Sequence, residues 1–341
     1  MNIQVSKTLD AFFNRCLAHI QQDYKADFLA YHVTEAGERK VQKLLQEANF
    51  AEFQGPKKEW PSLFLSTKEW ENNPYHRQIH LDYVKDEHFS FKKEKTAGFE
   101  LFNSDEIQKD PQRELNDWMK LRAMDQHFET LYLYQDDKDW MMDAPSEYNT
   151  NYRPAQKAHG KVLTFGLGIG YFLWFALDNP KVKEITVIEK SEAVLSMFQR
   201  FLYPQFPQTK KVHFMLGDAF DYFNEEYLNS FNYVYTDIWQ SPQDGLFLIE
   251  KLLEQVDLPL EKGDFWIEES CYEVMWTLSF WYFYSLYTGQ DFQMSESYQS
   301  LYKKIQLYYS RIDETLEEEK IKFYIYDTQT IRHILHQPWQ E

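Results

Sequence analysis

The chain has 341 residues, of which 43% are hydrophobic and 26% are charged, so it can form two domains or one large domain with a sizeable core. Its 36 Lys and Arg residues against 54 Asp and Glu give a formal net charge of −18, which disfavours nucleic acid and anionic membranes as partners. Cys16 and Cys271 match no disulfide or metal-ligand spacing, and no signal peptide or apolar run of ~20 residues is evident. We therefore expect a cytoplasmic protein with reduced cysteines.

The first part of the chain is predicted to mix helices and strands. Apolar residues at helical spacing indicate two amphipathic helices, at 9–20 and 41–48. The pattern then changes to alternation, which predicts a hairpin around a Thr-Ala-Gly turn at 88–102 and a second hairpin at 129–145. Between the two hairpins, residues 111–127 are predicted to be helical.

The next part alternates strands and helices. Five apolar runs have the length of strands, namely KVLTFG, EITVIEK, VHFMLGD, FNYVYTDIW and DFWIEES. This order predicts βαβ units, and hence an α/β fold with a Rossmann-like, doubly wound and mainly parallel sheet. Beyond Cys271 the chain is predicted to be helical apart from IKFYIYD. The predicted parts are an N-terminal mixed α+β domain at 1–150, the Rossmann-like domain at 151–270 and a helical C-terminal segment at 271–341.

Three glycines separate the first of these strands from its helix, in the stretch Phe165-Gly166-Leu167-Gly168-Ile169-Gly170. Glycine inside an element costs about 0.5–1 kcal/mol relative to alanine, so this backbone must need to be bare. Ligands of doubly wound sheets bind at the carboxyl ends of the strands, close to the free N–H groups of a helix start. Dinucleotide sites have the spacing G-x-G-x-x-G, and here Tyr171 occupies the third glycine position, which argues against NAD. We expect Tyr171 to close the glycine turn.

Acidic residues follow the next three predicted strands. Glu189 ends the second strand about 20 residues after the glycines, where nucleotide sites place the acid that binds ribose hydroxyls. Asp218 and Ala219 follow the third strand, and Asp237 follows the fourth. Because the carboxyl ends of parallel strands lie at one edge of the sheet, these residues predict a single site.

Together these residues resemble the class I S-adenosylmethionine-dependent methyltransferases. The resemblance covers about 161–270, roughly a third of the chain, although Thr164 and Phe165 stand where the family has an acid before its first glycine. Glu189 matches the family's ribose-binding acid, Asp218 matches the residue that contacts the adenine amino group, and Ala219 would contribute its backbone. The resemblance implies that S-adenosylmethionine is the cofactor and that it is bound by Gly166, Leu167, Gly168, Gly170, Glu189, Asp218, Ala219 and Asp237.

A narrower resemblance, to the spermidine synthases, includes the hairpin that precedes the sheet. It implies aminopropyl transfer from decarboxylated S-adenosylmethionine. However, the glycine motif here, GLGIGY, lacks that family's additional acid, and Asp237 is followed by Ile238, Trp239 and Gln240 where the family has a second Asp and a Pro. We therefore expect the architecture of that family without its chemistry.

The sequence thus predicts an S-adenosylmethionine-dependent methyltransferase that acts on a small-molecule or protein acceptor. Asp237 is the candidate catalytic residue, which orients or deprotonates the acceptor, and a purely cofactor-binding role is its alternative. Trp239 is expected beside the acceptor or the cofactor. No metal site is expected, since His333 and His336 have no third ligand nearby. An aminopropyltransferase, a non-catalytic S-adenosylmethionine-binding protein and an NAD-linked enzyme remain alternatives, and the oligomeric state is open.

Overall fold

The structure is a computed structural model and describes residues 1–22 and 25–337. Its N-terminal part contains short strands and helices: β1 (Asn2–Ile3), α1 (Lys7–Gln21), α2 (Glu38–Glu47), β2 (Phe64–Leu65), α3 (Thr67–Glu71), α4 (Pro74–Gln78), β3 (Phe89–Thr96), β4 (Phe102–Asn103), β5 (Leu121–Met124), β6 (Phe128–Gln135) and β7 (Lys138–Asp143). The central part alternates helices and strands: α5 (Pro145–Lys157), β8 (Gly160–Phe165), α6 (Tyr171–Asp178), β9 (Val182–Glu189), α7 (Glu192–Met197), β10 (Lys211–Leu216), α8 (Ala219–Tyr222), α9 (Glu225–Leu228), β11 (Tyr233–Thr236), α10 (Pro242–Gln255) and β12 (Gly263–Phe265).

The C-terminal part is mostly helical, with α11 (Glu268–Thr288), α12 (Gln299–Ser310), β13 (Thr315–Leu316), α13 (Glu318–Tyr326) and α14 (Thr328–His336). A π-helical turn at Phe198–Leu202 extends α7. Single turns of 3₁₀ helix lie at Lys25–Phe28, Glu35–Gly37, Ala51–Phe53, Lys57–Glu59, Leu81–Tyr83, Tyr203–Gln205 and Glu296–Tyr298. Among the described residues, no helix combines the length and the apolar character needed to cross a membrane.

The central sheet confirms the predicted α/β fold. Its five strands are all parallel and have the order β10-β9-β8-β11-β12. The strand order reverses at β8, because the chain moves outward through β9 and β10 and then returns to place β11 on the other side. Both faces of β8 and β11 are buried, as is typical of parallel strands covered by helices, and this explains their nearly continuous apolar sequences. The fold is therefore Rossmann-like, with a switch point between β8 and β11.

The predicted hairpin at 129–145 is present as β6 and β7, joined by Asp136 and Asp137 with positive φ angles of 50° and 60°. The predicted hairpin at 88–102 is wrong. Strand β3 pairs antiparallel with β6, whereas β4 pairs with β5, so the two halves of the predicted hairpin belong to different sheets. The glycine of the expected turn, Gly98, lies against the backbone of Gln126, where a Cβ would come within 2.3 Å.

The predicted helix at 111–127 is also wrong, since this segment is a loop that leads into β5. Arg113 and Leu115 have positive φ angles of 56° and 61°, which a right-handed helix excludes. The Asp110 carboxylate accepts hydrogen bonds from the backbone N–H groups of Gln112 at 2.9 Å and of Glu114 at 2.7 Å. These hydrogen bonds satisfy backbone N–H groups that would otherwise bond to carbonyl oxygens within a helix.

The C-terminal region differs from its prediction at two points. The run DFWIEES forms a strand only as far as Phe265, and α11 begins at Glu268. The expected strand IKFYIYD lies instead in α13. Strand β13 pairs in parallel with β1, which joins the N-terminal part of the chain to its C-terminal helical part. The last residues of the predicted C-terminal segment, 338–341, lie outside the described residues.

Candidate active site

A cavity of about 570 Å³ opens at the carboxyl ends of the central strands, beside the switch point. This volume lies within the range of about 300–1,000 Å³ that is usual for small-molecule and cofactor sites. The cavity brings together most of the residues predicted from the sequence. Its lining includes Gly166, Leu167, Gly168, Glu189, Asp218, Ala219, Asp237 and Trp239.

The first two glycines have different physical reasons for being bare. Gly166 has φ +86°, and a Cβ there would lie 1.8 Å from the carbonyl oxygen of Asp237. The closeness of β8 and β11 therefore requires glycine at this position. Gly168 has φ +51°, and its Cβ would lie 3.5 Å from the Met141 side chain of the β6–β7 hairpin. The left-handed backbone conformation, rather than lack of space, favours glycine at this second position.

Gly170 lies apart from the large cavity and contacts a smaller adjoining cavity of about 30 Å³. It is the N-cap of α6, and a Cβ would come within 2.9 Å of the rings of Phe198 and Phe206. Its bare backbone thus serves the packing of α6. Tyr171 begins this helix and is buried, and its hydroxyl donates a hydrogen bond to the Asp143 carboxylate.

A buried polar group supports the glycine turn from the N-terminal part of the chain. The carboxylate of Asp143, at the end of β7, contacts the Tyr171 hydroxyl and lies 3.0 Å from Nε2 of His76. Burial lowers the pKa of His76, but the hydrogen bond to Asp143 and its charge outweigh this effect and raise it overall. In addition, the Tyr75 hydroxyl donates to the carbonyl oxygen of Ile169 at 2.8 Å. Helix α4 is thereby attached directly to the turn.

Glu189 ends β9 at the rim of the cavity. Its carboxylate accepts a hydrogen bond from the backbone N–H of Ser191 at 2.8 Å, which fixes its direction. Burial raises the pKa of Glu189, while the backbone N–H groups of Ser191 and Leu167 act in the opposite direction. A carboxylate held in this way has oxygen lone pairs left to accept hydrogen bonds from a ligand.

Asp218 lines the cavity and forms an ion pair with Lys190. It caps α8 by accepting the N–H of Phe220 at 3.1 Å, and its other oxygen lies 2.7 Å from Nζ of Lys190. The hydrogen bond from Lys190 lowers the pKa of Asp218. Ala219 follows as the first residue of α8 and is buried.

Asp237 directly follows β11, and among the described residues neither a hydrogen-bond donor nor a cation pairs with its carboxylate. Burial raises the pKa of Asp237 well above its usual value, and the charges of Glu147 and Glu189 raise it further. Glu147, in the first turn of α5, is similar, because burial and then the charge of Asp143 raise its pKa to about 7. The cavity is therefore lined by two carboxyl groups that have no hydrogen-bond donor or cation among the described residues.

The sequence analysis missed Glu147 and the contribution of the β6–β7 hairpin, which lines the cavity with Gln135, Trp140, Met141 and Met142. One signal for the helix that carries Glu147 was available. Pro145 lies at the first helical position, where proline is favoured because its missing N–H has no intrahelical partner. No spacing in the sequence indicates that Glu147 lines the same cavity as Asp237, because α5 follows a hairpin that belongs to a separate sheet.

No protein-family model matches the chain, and no curated protein matches its sequence. Among solved structures, human methyltransferase-like protein 13 in complex with S-adenosylhomocysteine aligns with a TM-score of 0.23 and 18% identity over 33% of this chain and 55% of that chain. The chain thus spans about half the length of that protein. Mycobacterium tuberculosis shikimate dehydrogenase aligns with a TM-score of 0.23 and 12% identity over 53% and 67% of the two chains. A Streptococcus mutans protein assigned to the S-adenosylmethionine-dependent methyltransferases aligns with a TM-score of 0.25 and 11% identity over 74% and 65%.

Proposed function

We propose that the protein is an S-adenosylmethionine-dependent methyltransferase whose cofactor occupies the 570 Å³ cavity. One observation carries this proposal: the cavity is lined by the glycine turn at Gly166 and Gly168 together with three acidic residues, Glu189, Asp218 and Asp237. These residues come from four successive strand ends, at the switch point where doubly wound sheets bind nucleotides. The spacing of the glycines favours S-adenosylmethionine over NAD.

Each of these residues has a defined task in the proposal. The Glu189 carboxylate accepts hydrogen bonds from the ribose hydroxyls, and Asp218 and Ala219 contact the adenine. The backbone turn at Gly166 and Gly168 lines the cavity and lies beside the bound ligand. The bound sulfonium supplies an activated methyl group, and the Asp237 carboxylate attracts its positive charge and orients the acceptor. Catalysis then consists mainly of in-line positioning and exclusion of water.

The proposal is tested by calorimetry with S-adenosylmethionine, S-adenosylhomocysteine, decarboxylated S-adenosylmethionine and NAD, each alone. We expect the first two to bind with low-micromolar or lower Kd, and a ligand at 100 times its Kd to stabilise the fold by about 2.7 kcal/mol. The Glu189→Gln variant should bind S-adenosylhomocysteine about 10- to 100-fold more weakly, because hydrogen bonds to charged groups contribute about 1.5–3 kcal/mol.

The matched control is Glu192→Gln, which makes the same chemical change at an exposed position of α7 outside the cavity. This variant should bind S-adenosylhomocysteine like the wild type. Binding of NAD without either sulfur ligand would overturn the proposal. Binding of decarboxylated S-adenosylmethionine in preference to S-adenosylmethionine would instead favour aminopropyl transfer.

A further inference from the structure

The cavity extends beyond the residues that the proposed function assigns to the cofactor. On the side formed by the β6–β7 hairpin, α5 and the residues that follow β11 and β12, the lining is aromatic, sulfur-containing and acidic. We call this side the acceptor wall, and it comprises Trp140, Met141, Met142, Glu147, Trp239 and Trp266. The methyl acceptor is assigned to this part of the cavity, because the residues assigned to the nucleotide part of the cofactor are other members of the lining.

The charges that line the cavity are strongly unbalanced. Among the described residues, four acidic side chains line it, and the single basic one, Lys190, is already paired with Asp218 at 2.7 Å. Glu189 accepts a hydrogen bond from the backbone, and its remaining lone pairs are assigned to the ribose of the cofactor. Glu147 and Asp237 remain without a donor or cation among the residues that the structure describes. A carboxylate that is shielded from water is costly unless it is paired, so these two groups favour a cation as the ligand of this part of the cavity.

The rest of the acceptor wall also suits a cation. Trp239 and Trp266 are only 6% and 8% exposed, and Trp140 packs against Phe89 with ring centroids 5.2 Å apart. Indole rings have an electron-rich face that attracts ammonium groups, and this attraction strengthens when water is excluded. A neutral acceptor would leave the charge of both carboxylates uncompensated, and an anionic acceptor would be repelled by them.

We propose that the methyl acceptor is a protonated amine whose nitrogen binds between Glu147 and Asp237, against the indoles of the acceptor wall. This inference rests on the proposed function, since it names the substrate class of the same site. Two carboxyl groups from different elements, α5 and the end of β11, define the position of the nitrogen.

The reaction requires one proton transfer before the methyl transfer. The ammonium group gives a proton to the Asp237 carboxylate, and the amine nitrogen then has a free electron pair. That pair forms a bond to the methyl carbon while the carbon–sulfur bond breaks and its electrons remain on sulfur. The products are a methylated ammonium ion and S-adenosylhomocysteine, and Asp237 later releases its proton to water. Burial raises the pKa of Asp237, which makes its carboxylate a stronger base.

The test compares probes that differ in charge but little in size. Calorimetry on protein saturated with S-adenosylhomocysteine would use butylamine, 1,4-diaminobutane, 1,4-butanediol and butyrate. We expect at least one amine to bind, and the diol and the carboxylate not to bind. Glu147→Gln and Asp237→Asn should each weaken amine binding by about 10- to 100-fold. Glu192→Gln serves again as the matched control and should leave amine binding unchanged.

Proton release gives a second readout that a structural role would not produce. A bound ammonium favours the ionised carboxyl groups, so amine binding should release protons. The heat of binding should therefore depend on the ionisation enthalpy of the buffer, and less so in Glu147→Gln. Incubation of the wild type with S-adenosylmethionine and the bound amine should yield the monomethylated amine, detected by mass spectrometry.

The outcomes separate the two proposals. Binding of S-adenosylhomocysteine with no binding of either amine, or with equal binding of the diol, overturns the amine acceptor and leaves the cofactor proposal intact. No binding of S-adenosylhomocysteine overturns the proposed function itself. Asp237→Asn can weaken both ligands, because Asp237 is also assigned to the cofactor site. Glu147→Gln is therefore the deciding variant, and if it too loses both ligands, the comparison of amines with the diol in the wild type and the proton release on amine binding decide the question.

Discussion

Glu147 shows how one half-buried carboxyl group without a partner can be costly for folding and still suit a binding site. It lies in the first turn of α5, where it lines the cavity and its charge acts on Asp237. Nothing in the described chain neutralises it, and burial together with Asp143 raises its pKa to about 7. Such groups cluster at functional sites, where stability is sacrificed for chemistry.

This cost predicts a pH-dependent stability for Glu147→Gln. The folded protein holds the Glu147 proton up to about pH 7, whereas the unfolded chain loses it near the ordinary value of 4.5. The wild type therefore loses stability relative to the variant as the pH rises from 4.5 to 7. Since a pKa difference of one corresponds to about 1.4 kcal/mol, the variant's advantage in free energy of unfolding should be about 2–3 kcal/mol larger at pH 8 than at pH 5.

Urea unfolding of both proteins at the two pH values measures this difference. The exposed control Glu192→Gln should change the free energy of unfolding by no more than about 0.5 kcal/mol at either pH. A Glu147→Gln variant that is less stable than the wild type at pH 8 would show that the carboxylate has a favourable partner in the folded protein.

At the scale of elements, the last helix is attached to the sheet by a buried ion pair. Arg332 of α14 is fully buried and lies 2.6 Å from a Glu268 oxygen at the start of α11. Its guanidinium also donates to the carbonyl oxygens of Leu258 at 3.0 Å and of Gly263 at 3.1 Å, beside β12. A single side chain thus connects α14 with α11 and with the edge of the central sheet.

Arg332→Met should therefore be strongly destabilising. Removal of one partner leaves the Glu268 carboxylate buried and uncompensated, which typically costs about 3–5 kcal/mol in the free energy of unfolding. The double variant Arg332→Met with Glu268→Gln should lose less than the single variant, because no charge remains buried. Arg311→Met is the control, since Arg311 is exposed and its side chain hydrogen-bonds to the side chain of Gln337. Denaturant unfolding that shows equal losses in the single and double variants would contradict this account.

The elements that were predicted correctly from the sequence are those whose apolar patterns are compatible with only one type of secondary structure. The central strands are buried on both faces and separated by helical patterns, so their order was evident. Segment 321–327 was ambiguous, because Ile321, Tyr324 and Ile325 satisfy helical spacing while the same apolar residues also suggest a strand. Packing of α13 against α11 favours the helix, and a contact between segments so far apart in the chain cannot be predicted from a local sequence pattern.

The same distinction explains which residues of the site could be predicted from the sequence. Strand ends in a parallel sheet share an edge, so Glu189, Asp218 and Asp237 could be placed together from chain order alone. Glu147 could not, since its position depends on how the separate sheet β3-β6-β7 and α5 pack against the sheet edge. Gly170 fitted the motif, but its steric role toward Phe198 becomes evident only in three dimensions.

At the scale of the whole molecule, the net charge of −18 acts on stability through repulsion. Salt shortens the range of this repulsion, from about 30 Å at 0.01 M to about 8 Å at 0.15 M. We expect Tm to rise by roughly 2–4 °C over this range at pH 8, the shift that about 1 kcal/mol produces in a large domain.

The control is the same pair of salt concentrations at pH 5, near the isoelectric point of about 5.0, where the rise should vanish. Sodium and potassium chloride should behave alike, since screening depends on ionic strength. An equal rise at both pH values would point to a salt effect other than screening of like charges. Differential scanning calorimetry at each condition provides the measurement.

The pairing of β1 with β13 has a consequence for the time course of synthesis. Asn2 and Ile3 hydrogen-bond to a strand that the ribosome adds about 310 residues later. At about 5–20 residues per second, the first strand waits roughly 15–60 s for its partner. Helix α1 waits almost as long, because its Phe13 packs against Phe280 of α11. The apolar face of α1 therefore stays uncovered until α11 emerges, and chaperones have that interval in which to bind it.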